Sequence, residues 1–323
     1  MRPELKLRLK KLRDAGAFDS ADRLVFYNPD SNLIDPNFVY LSGVRAEYSV
    51  LVATARSATL YTVKMTAPLT RGSFAKVVVT DKIGAILRRN LKGRVGVNGS
   101  VLPYCLPARL KAKPIDITAA LEKARAVKTP YEVAQISGAV KETRKILVGV
   151  RIEGTEQEIA AKIVYETLSR GLKPSFDPIV ATGPNTASPH HVPTTRRVDG
   201  FCYVDFGVRR NNYCSDLTTP FGYSDLANRV KQALWQLEDF IKPGVKCSDL
   251  CVRAEKLLGR KMIHALGHGI GLDVHEAPHI STNSKDVLEK GMVIAIEPAI
   301  YSKNAGARVE HNYLITKNGC KRL

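Results

Sequence analysis

A chain of 323 residues, 44% hydrophobic and 25% charged, is long enough for about two cores and has the make-up of a globular protein. No run of 18 apolar residues occurs, which argues against a membrane-spanning helix, and the N-terminus lacks the apolar segment of a secretory signal, so the expected location is the cytoplasm. Forty-nine Lys and Arg against 31 Asp and Glu leave a net charge of +18, and six cysteines with no Cys-x-x-Cys spacing read as buried thiols rather than a disulfide or zinc framework.

Residues 1–117 are expected to form a smaller N-terminal α/β domain. A basic amphipathic helix opens it, followed by strand-like runs RLVFY (23–27), FVYL (38–41), SVLVAT (49–54), ATLYTV (58–63) and KVVVT (76–80). A helical KIGAILRRNL, a strand RVGV and a turn at Asn98-Gly99 complete it. The proline in KAKPIDI marks the boundary, and a second domain, 118–323, starts with a helix at Thr118. TAALEKARAV and, after Pro130, YEVAQISGAVKETRKILVGV carry apolar residues at helical spacing, and Thr155 with Glu158 forms a capping box for EQEIAAKIVYETLSRG. Long helices ahead of a β-rich half predict an α+β fold with helices packed against a curved sheet. Basic residues concentrate at 6–13, 88–94 and 109–113 without interleaved aromatics, so a solvated charged surface is the plainer reading and nucleic acid the lesser alternative.

The chemistry lies in the second half. In GFCYVDFGVRRNNYCSDLTTPF, 200–221, two strands flank a turn placed at Arg210-Asn211, which sets Asp205 opposite Asp216 with Cβ atoms about 4.5–5.5 Å apart. Like charges so placed repel, and a shared proton or one or two cations would relieve them. Glu297 in GMVIAIEPAIY and Glu310 in GARVEHNYLIT sit in apolar, strand-like runs, where a carboxylate is costly unless paired or ligated. The stretch HALGHGIGLDVHEAPHI, 264–280, holds four of the seven histidines. His264 and His268 have the i, i+4 spacing of many zinc helices, but Gly267, Gly269 and Gly271 favour a bend or strand there. Four carboxylates with one imidazole suit two divalent ions such as Mn²⁺, Co²⁺, Fe²⁺ or Zn²⁺ better than a structural zinc site.

Five ordered stretches, ATGPNTASPHHVP (181–193), YVDFGVRRNNYCSDLTT (203–219), GHGIGLDVHEAP (267–278), IEPAIY (296–301) and GARVEHNYLIT (306–316), resemble the creatinase and aminopeptidase group of pita-bread metallopeptidases, the Xaa-Pro dipeptidases most of all. The resemblance implies a C-terminal pita-bread domain whose curved antiparallel sheet is flanked by helices. It implies metal ligands Asp205, Asp216, His268, Glu297 and Glu310 on two divalent ions, with a hydroxide bridging them. By the same resemblance His190, His275 and Glu297 are catalytic, Glu297 as proton carrier, while His264 and His191 are scaffold. The implied activity is hydrolysis of Xaa-Pro bonds in proline-containing di- or oligopeptides, by a homodimer. Xaa-Pro aminopeptidase, or a non-catalytic binding module using the basic surface, are the alternatives, and retention of all five ligands speaks against the module. The chain departs from close Xaa-Pro dipeptidases at His279, where an arginine often holds the dipeptide carboxylate, at Thr218-Thr219 in place of Thr-Arg, and at His311 in place of an acid. His279 and Arg308 are the candidates for reading the substrate's far end.

Overall fold

Leu5, Leu9 and Leu12 recur at helical spacing and form the buried face of a helix, Pro3–Asp14. The computed structural model describes every residue except Met1, Tyr104 and Leu110, and the side chain of Arg109 also lies outside the described part, so the basic run at 109–113 is placed only in part. Two units divide the chain, residues 1–125 and 126–323. The division falls at the end of the helix Thr118–Ala126, past the expected boundary at 117.

In the first unit a six-stranded mixed sheet runs, edge to edge, through Lys76–Val79, Ala58–Thr62, Ser49–Ala53, Arg23–Asn28, Val95–Val97 and Ile115–Asp116. The run FVYL, expected as a strand, is instead part of a helix, Pro36–Ser42. Local signals outweigh its β-forming residues: Pro36 fixes φ at the first turn, the Asp35 side chain accepts from Asn37 N–H as N-cap, and Gly43 closes the helix at φ 77°. Phe38, Val39, Tyr40 and Leu41 are all buried, so burial rather than propensity decides their state.

In the second unit every described strand pair is antiparallel. Residues of the helices Pro130–Gly149 and Glu156–Ser169 share one core with Val180, Val204, Phe206 and Val208. The helices Asp225–Glu238 and Cys247–Leu258 share the other with Ile280, Ile294, Ile296, Tyr313 and Ile315. Helices thus back antiparallel sheets in the pita-bread arrangement. The capping box at Thr155 and Glu158 forms as expected, and Thr129 with Glu132 makes a second one ahead of the long helix. Among the described residues no helix is long and apolar enough to cross a membrane.

Candidate metal centre

The carboxylate hairpin turns one residue later than expected. Asn211 and Asn212, not Arg210 and Asn211, take the left-handed positions at φ 46° and 74°, as a tight two-residue turn demands. Arg210 therefore pairs with Tyr213, and Asp205 faces Thr218 instead of Asp216. A slip of two positions keeps every side chain on its own face of the sheet, where a slip of one would have turned one aspartate away. Asp205 and Asp216 thus still converge: their carboxylate oxygens and one of Glu310 lie within 4.8 Å of one another.

The histidine comes from a strand, not a helix. Gly267–Gly269 lies between Glu276–Ile280 and Val293–Ile296 in a five-stranded sheet. A Cβ on Gly267 would fall 2.0 Å from the Ala295 carbonyl oxygen and one on Gly269 2.0 Å from that of Ala277, so both glycines are required by close backbone approach. His268 Nδ1 donates to the Gly269 carbonyl at 3.1 Å, which leaves Nε2 as the ring's lone-pair nitrogen. That Nε2 stands 3.7 Å from Asp216 Oδ2 and 3.7 Å from Glu297 Oε1. His268, Glu297 and Glu310 form a second group of converging donors, and Asp216, His268 and His275 a third.

Electrostatics defines what the cluster wants. Burial, followed by the charges of Glu310, Asp205 and Glu297, holds the Asp216 carboxyl well above its usual range. Glu310 is raised in the same way, by burial and then by Glu297 and Asp205, and burial pushes Glu297 up to about 8. Burial and the neighbouring His275 drive His268 down to about 3, so its ring is neutral. Asp205 Oδ1, Asp216 Oδ1 and Glu310 Oε1 are buried without a hydrogen-bond partner. Three orphaned carboxylate oxygens beside a neutral imidazole fit divalent cations, which would satisfy the oxygens and cancel the repulsion.

Surrounding groups hold this set in place. Arg308, 3% exposed, donates to Asp205 Oδ2, to Thr218 Oγ1 at 3.0 Å, to the Pro189 carbonyl at 3.1 Å and to Tyr301 Oη at 2.8 Å. Asn312 clamps the Asp216 backbone from both sides, accepting from its N–H and donating to its carbonyl. Asn312 does not stand out in the sequence, and Thr218, noted there only as part of the Thr218-Thr219 departure, donates to Glu310 at 2.9 Å. Glu156 is another hub that sequence reasoning missed: fully buried, it accepts from Thr182, Asn185, His191 and Thr194 and so shapes the loop that carries His190. His191 Nε2 meets Glu156 Oε2 at 2.8 Å.

The centre opens into a cavity of about 730 Å³, walled by Phe176, Ile179 and Val274 and rimmed by His190, His275 and His279. His190, His275 and His279 are exposed, at the open side of the cavity. His264 is in the cavity wall as well, its Nδ1 3.8 Å from Glu297 Oε2 and its ring edge-on to Tyr301.

A buried carboxylate and imidazole cluster at the floor of a cavity, carried on helix-backed antiparallel sheets in the second of two units of the chain, is the make-up of a metal-dependent hydrolase. Residues 131–317 match the metallopeptidase family M24 and residues 8–127 the creatinase/prolidase N-terminal domain, and the chain belongs to that family of metallopeptidases. It is 31% identical to an Xaa-Pro dipeptidase of Pyrococcus furiosus, over 99% of this chain and 98% of that one. The solved structure of the prolidase from Pyrococcus furiosus superimposes with a TM-score of 0.84 at 30% identity, covering 97% of this chain and 98% of that one. An X-Pro aminopeptidase from Thermotoga maritima gives 0.86 at 26% identity, with 97% of each chain covered.

Proposed function

We propose that the chain is an exopeptidase hydrolysing Xaa-Pro bonds, and that proline-containing dipeptides are its substrates. The observation that carries the reading is the convergence of Asp205, Asp216, His268, Glu297 and Glu310, with three of their oxygens buried and unpartnered, on the floor of an open cavity. The names of the P. furiosus relatives support the choice of bond. Those five residues would hold two divalent ions, Mn²⁺, Co²⁺, Fe²⁺ or Zn²⁺, which when bound supply Lewis acidity and a water acidic enough to ionise near neutral pH.

The chain's own groups do the rest. Glu297 takes the proton of the attacking water and delivers it to the leaving proline nitrogen, a tertiary amide that cannot depart without one. His275 and His190, on the rim, donate hydrogen bonds to the developing oxyanion and to the substrate carbonyl. Arg308 fixes Asp205. His279, one strand away from His268, is the rim group placed to meet the substrate's far end. A homodimer in the cytoplasm, with no role for nucleic acid, completes the proposal.

One observation favours a second reading, Xaa-Pro aminopeptidase: Arg308 is spent on four protein acceptors and is not offered to a dipeptide carboxylate. The test is turnover of Leu-Pro and Leu-Pro-Gly by protein supplied with Mn²⁺ or Co²⁺. Hydrolysis of the dipeptide, abolished in Asp216→Asn, is the expected result; cleavage of the tripeptide alone selects the second reading, and turnover of neither rejects both.

A further inference from the structure

The hairpin that carries Asp205 and Asp216 comes apart in its middle. Phe206 pairs with Leu217 and Arg209 with Cys214, so the register is the same on both sides of the gap, with Val208 opposite Ser215 and Gly207 opposite Asp216. Of the two hydrogen bonds that Val208 and Ser215 would exchange in an intact ladder, one forms: Ser215 N–H donates to the Val208 carbonyl at 3.0 Å. The other is replaced, because Val208 N–H donates to Ser215 Oγ at 3.0 Å and to Thr143 Oγ1 at 3.2 Å. The Ser215 carbonyl is pressed against Gly207 instead: a Cβ on that glycine would fall 1.8 Å from the carbonyl oxygen, which makes glycine a requirement there.

The gap is filled from the helix side. Thr143, on the helix Pro130–Gly149, and Ser215 are both fully buried, and their hydroxyls meet at 2.7 Å. Ser215 Oγ also donates to the Val208 carbonyl at 3.2 Å. The pair thus gives a buried backbone N–H the partner that the hairpin does not supply, and leaving such a group unpaired is costly. The residue after Ser215 is Asp216, whose backbone N–H and carbonyl go to the Asn312 side chain. Neither hydroxyl lines the cavity, so both act on the centre through the backbone that carries Asp216.

We infer that Thr143 and Ser215 are positioning residues for the metal centre. Their hydroxyls hold the hairpin open at Val208, and the opening aims the Asp216 carboxylate at those of Asp205 and Glu310. The inference rests on the reading of that cluster as a site for divalent ions.

Titration of the chelator-treated full chain with Mn²⁺, with free Mn²⁺ read from its electron paramagnetic resonance signal, tests this without recourse to turnover. Thr143→Val keeps the side-chain shape and removes one hydroxyl, and Ser215→Ala removes the other. Each is expected to weaken Mn²⁺ binding by about tenfold, a typical cost of losing a group that orients a ligand, and Thr143→Ser is expected to restore it. Thr167→Val is the control: Thr167 is equally buried, but its hydroxyl bonds within its own helix, to the Ile163 carbonyl at 2.7 Å, so its loss should leave Mn²⁺ affinity unchanged. If Ser215→Ala folds poorly, Thr143→Val and its serine rescue decide the matter. Wild-type affinity in the Thr143→Val variant overturns the inference, as does an equal loss in Thr167→Val or no recovery in Thr143→Ser. An unsubstituted chain that binds no Mn²⁺ defeats the metal-site reading itself, and the inference with it.

Discussion

Replacing Lys128 by methionine removes the cation from a buried ion pair that supports the loop ahead of His275. Lys128 Nζ donates to Glu276 Oε2 at 2.9 Å, with the two side chains only 1% and 5% exposed. Glu276 Oε1 accepts from Asp273 N–H at 3.0 Å, so this carboxylate ties the loop ahead of His275 to the start of the long helix. Breaking a buried pair by removing one partner costs about 3–5 kcal/mol, because the surviving charge stays desolvated. At about 2–4 °C per kcal/mol for a domain of 150–250 residues, melting should fall by roughly 6–20 °C. Lys128→Met with Glu276→Gln removes both charges while Gln keeps an acceptor for Asp273, and should recover a large part of the loss. Urea unfolding and thermal melting at fixed saturating Mn²⁺ give the comparison. A loss below about 1 kcal/mol for Lys128→Met, or a double variant no more stable than the single one, would refute the reasoning.

Three further outcomes follow from the centre and its frame. The raised carboxyls of Asp216, Glu297 and Glu310 bind protons in the folded state that the unfolded chain has released, so stability of the chelated protein should fall as pH rises from the ordinary carboxylate range through about 8, the folded value for Glu297. Thermal melts of chelated and Mn²⁺-loaded protein from pH 5 to 9 check this, and equal slopes with and without Mn²⁺ would contradict it. Gly267→Ala forces a Cβ to 2.0 Å from a backbone oxygen and should cost about 1–3 kcal/mol or more, read by urea unfolding; a neutral effect would show that the sheet can yield there. Glu156→Gln should flatten the acid side of the stability profile: although burial pushes its carboxyl up, bonds from Thr194, His191 and Asn185 hold it below its usual range. The stability it supplies is present above the unfolded value and lost as pH falls through the folded one. An unchanged acid limb in denaturant titrations would count against that.

The residues that converge in the cluster were more legible in the sequence than the local structure that carries them. Asp205, Asp216, Glu297 and Glu310 were legible because a carboxylate in an apolar run is anomalous, and the three glycines around His268 told against a zinc helix. The hairpin register was misplaced because Asn211 and Asn212 both accept positive φ and Arg210 does not need it; the site survived since the slip was by two. FVYL misled because its residues favour a strand, whereas the proline, the Asp35 cap and Gly43 around it set a helix. Glu156, Lys128 and Asn312 stayed hidden for another reason: each acts through partners distant in sequence, and no period or spacing marks a residue whose importance lies in what it meets after folding.

The most direct test of the account is to titrate chelator-treated protein with Mn²⁺, counting bound metal and Leu-Pro turnover in the same samples. Two equivalents bound, with turnover appearing as they bind and absent in Asp216→Asn, is the predicted result. Binding that stops at one equivalent or fewer, with no hydrolysis of any Xaa-Pro peptide, would contradict it.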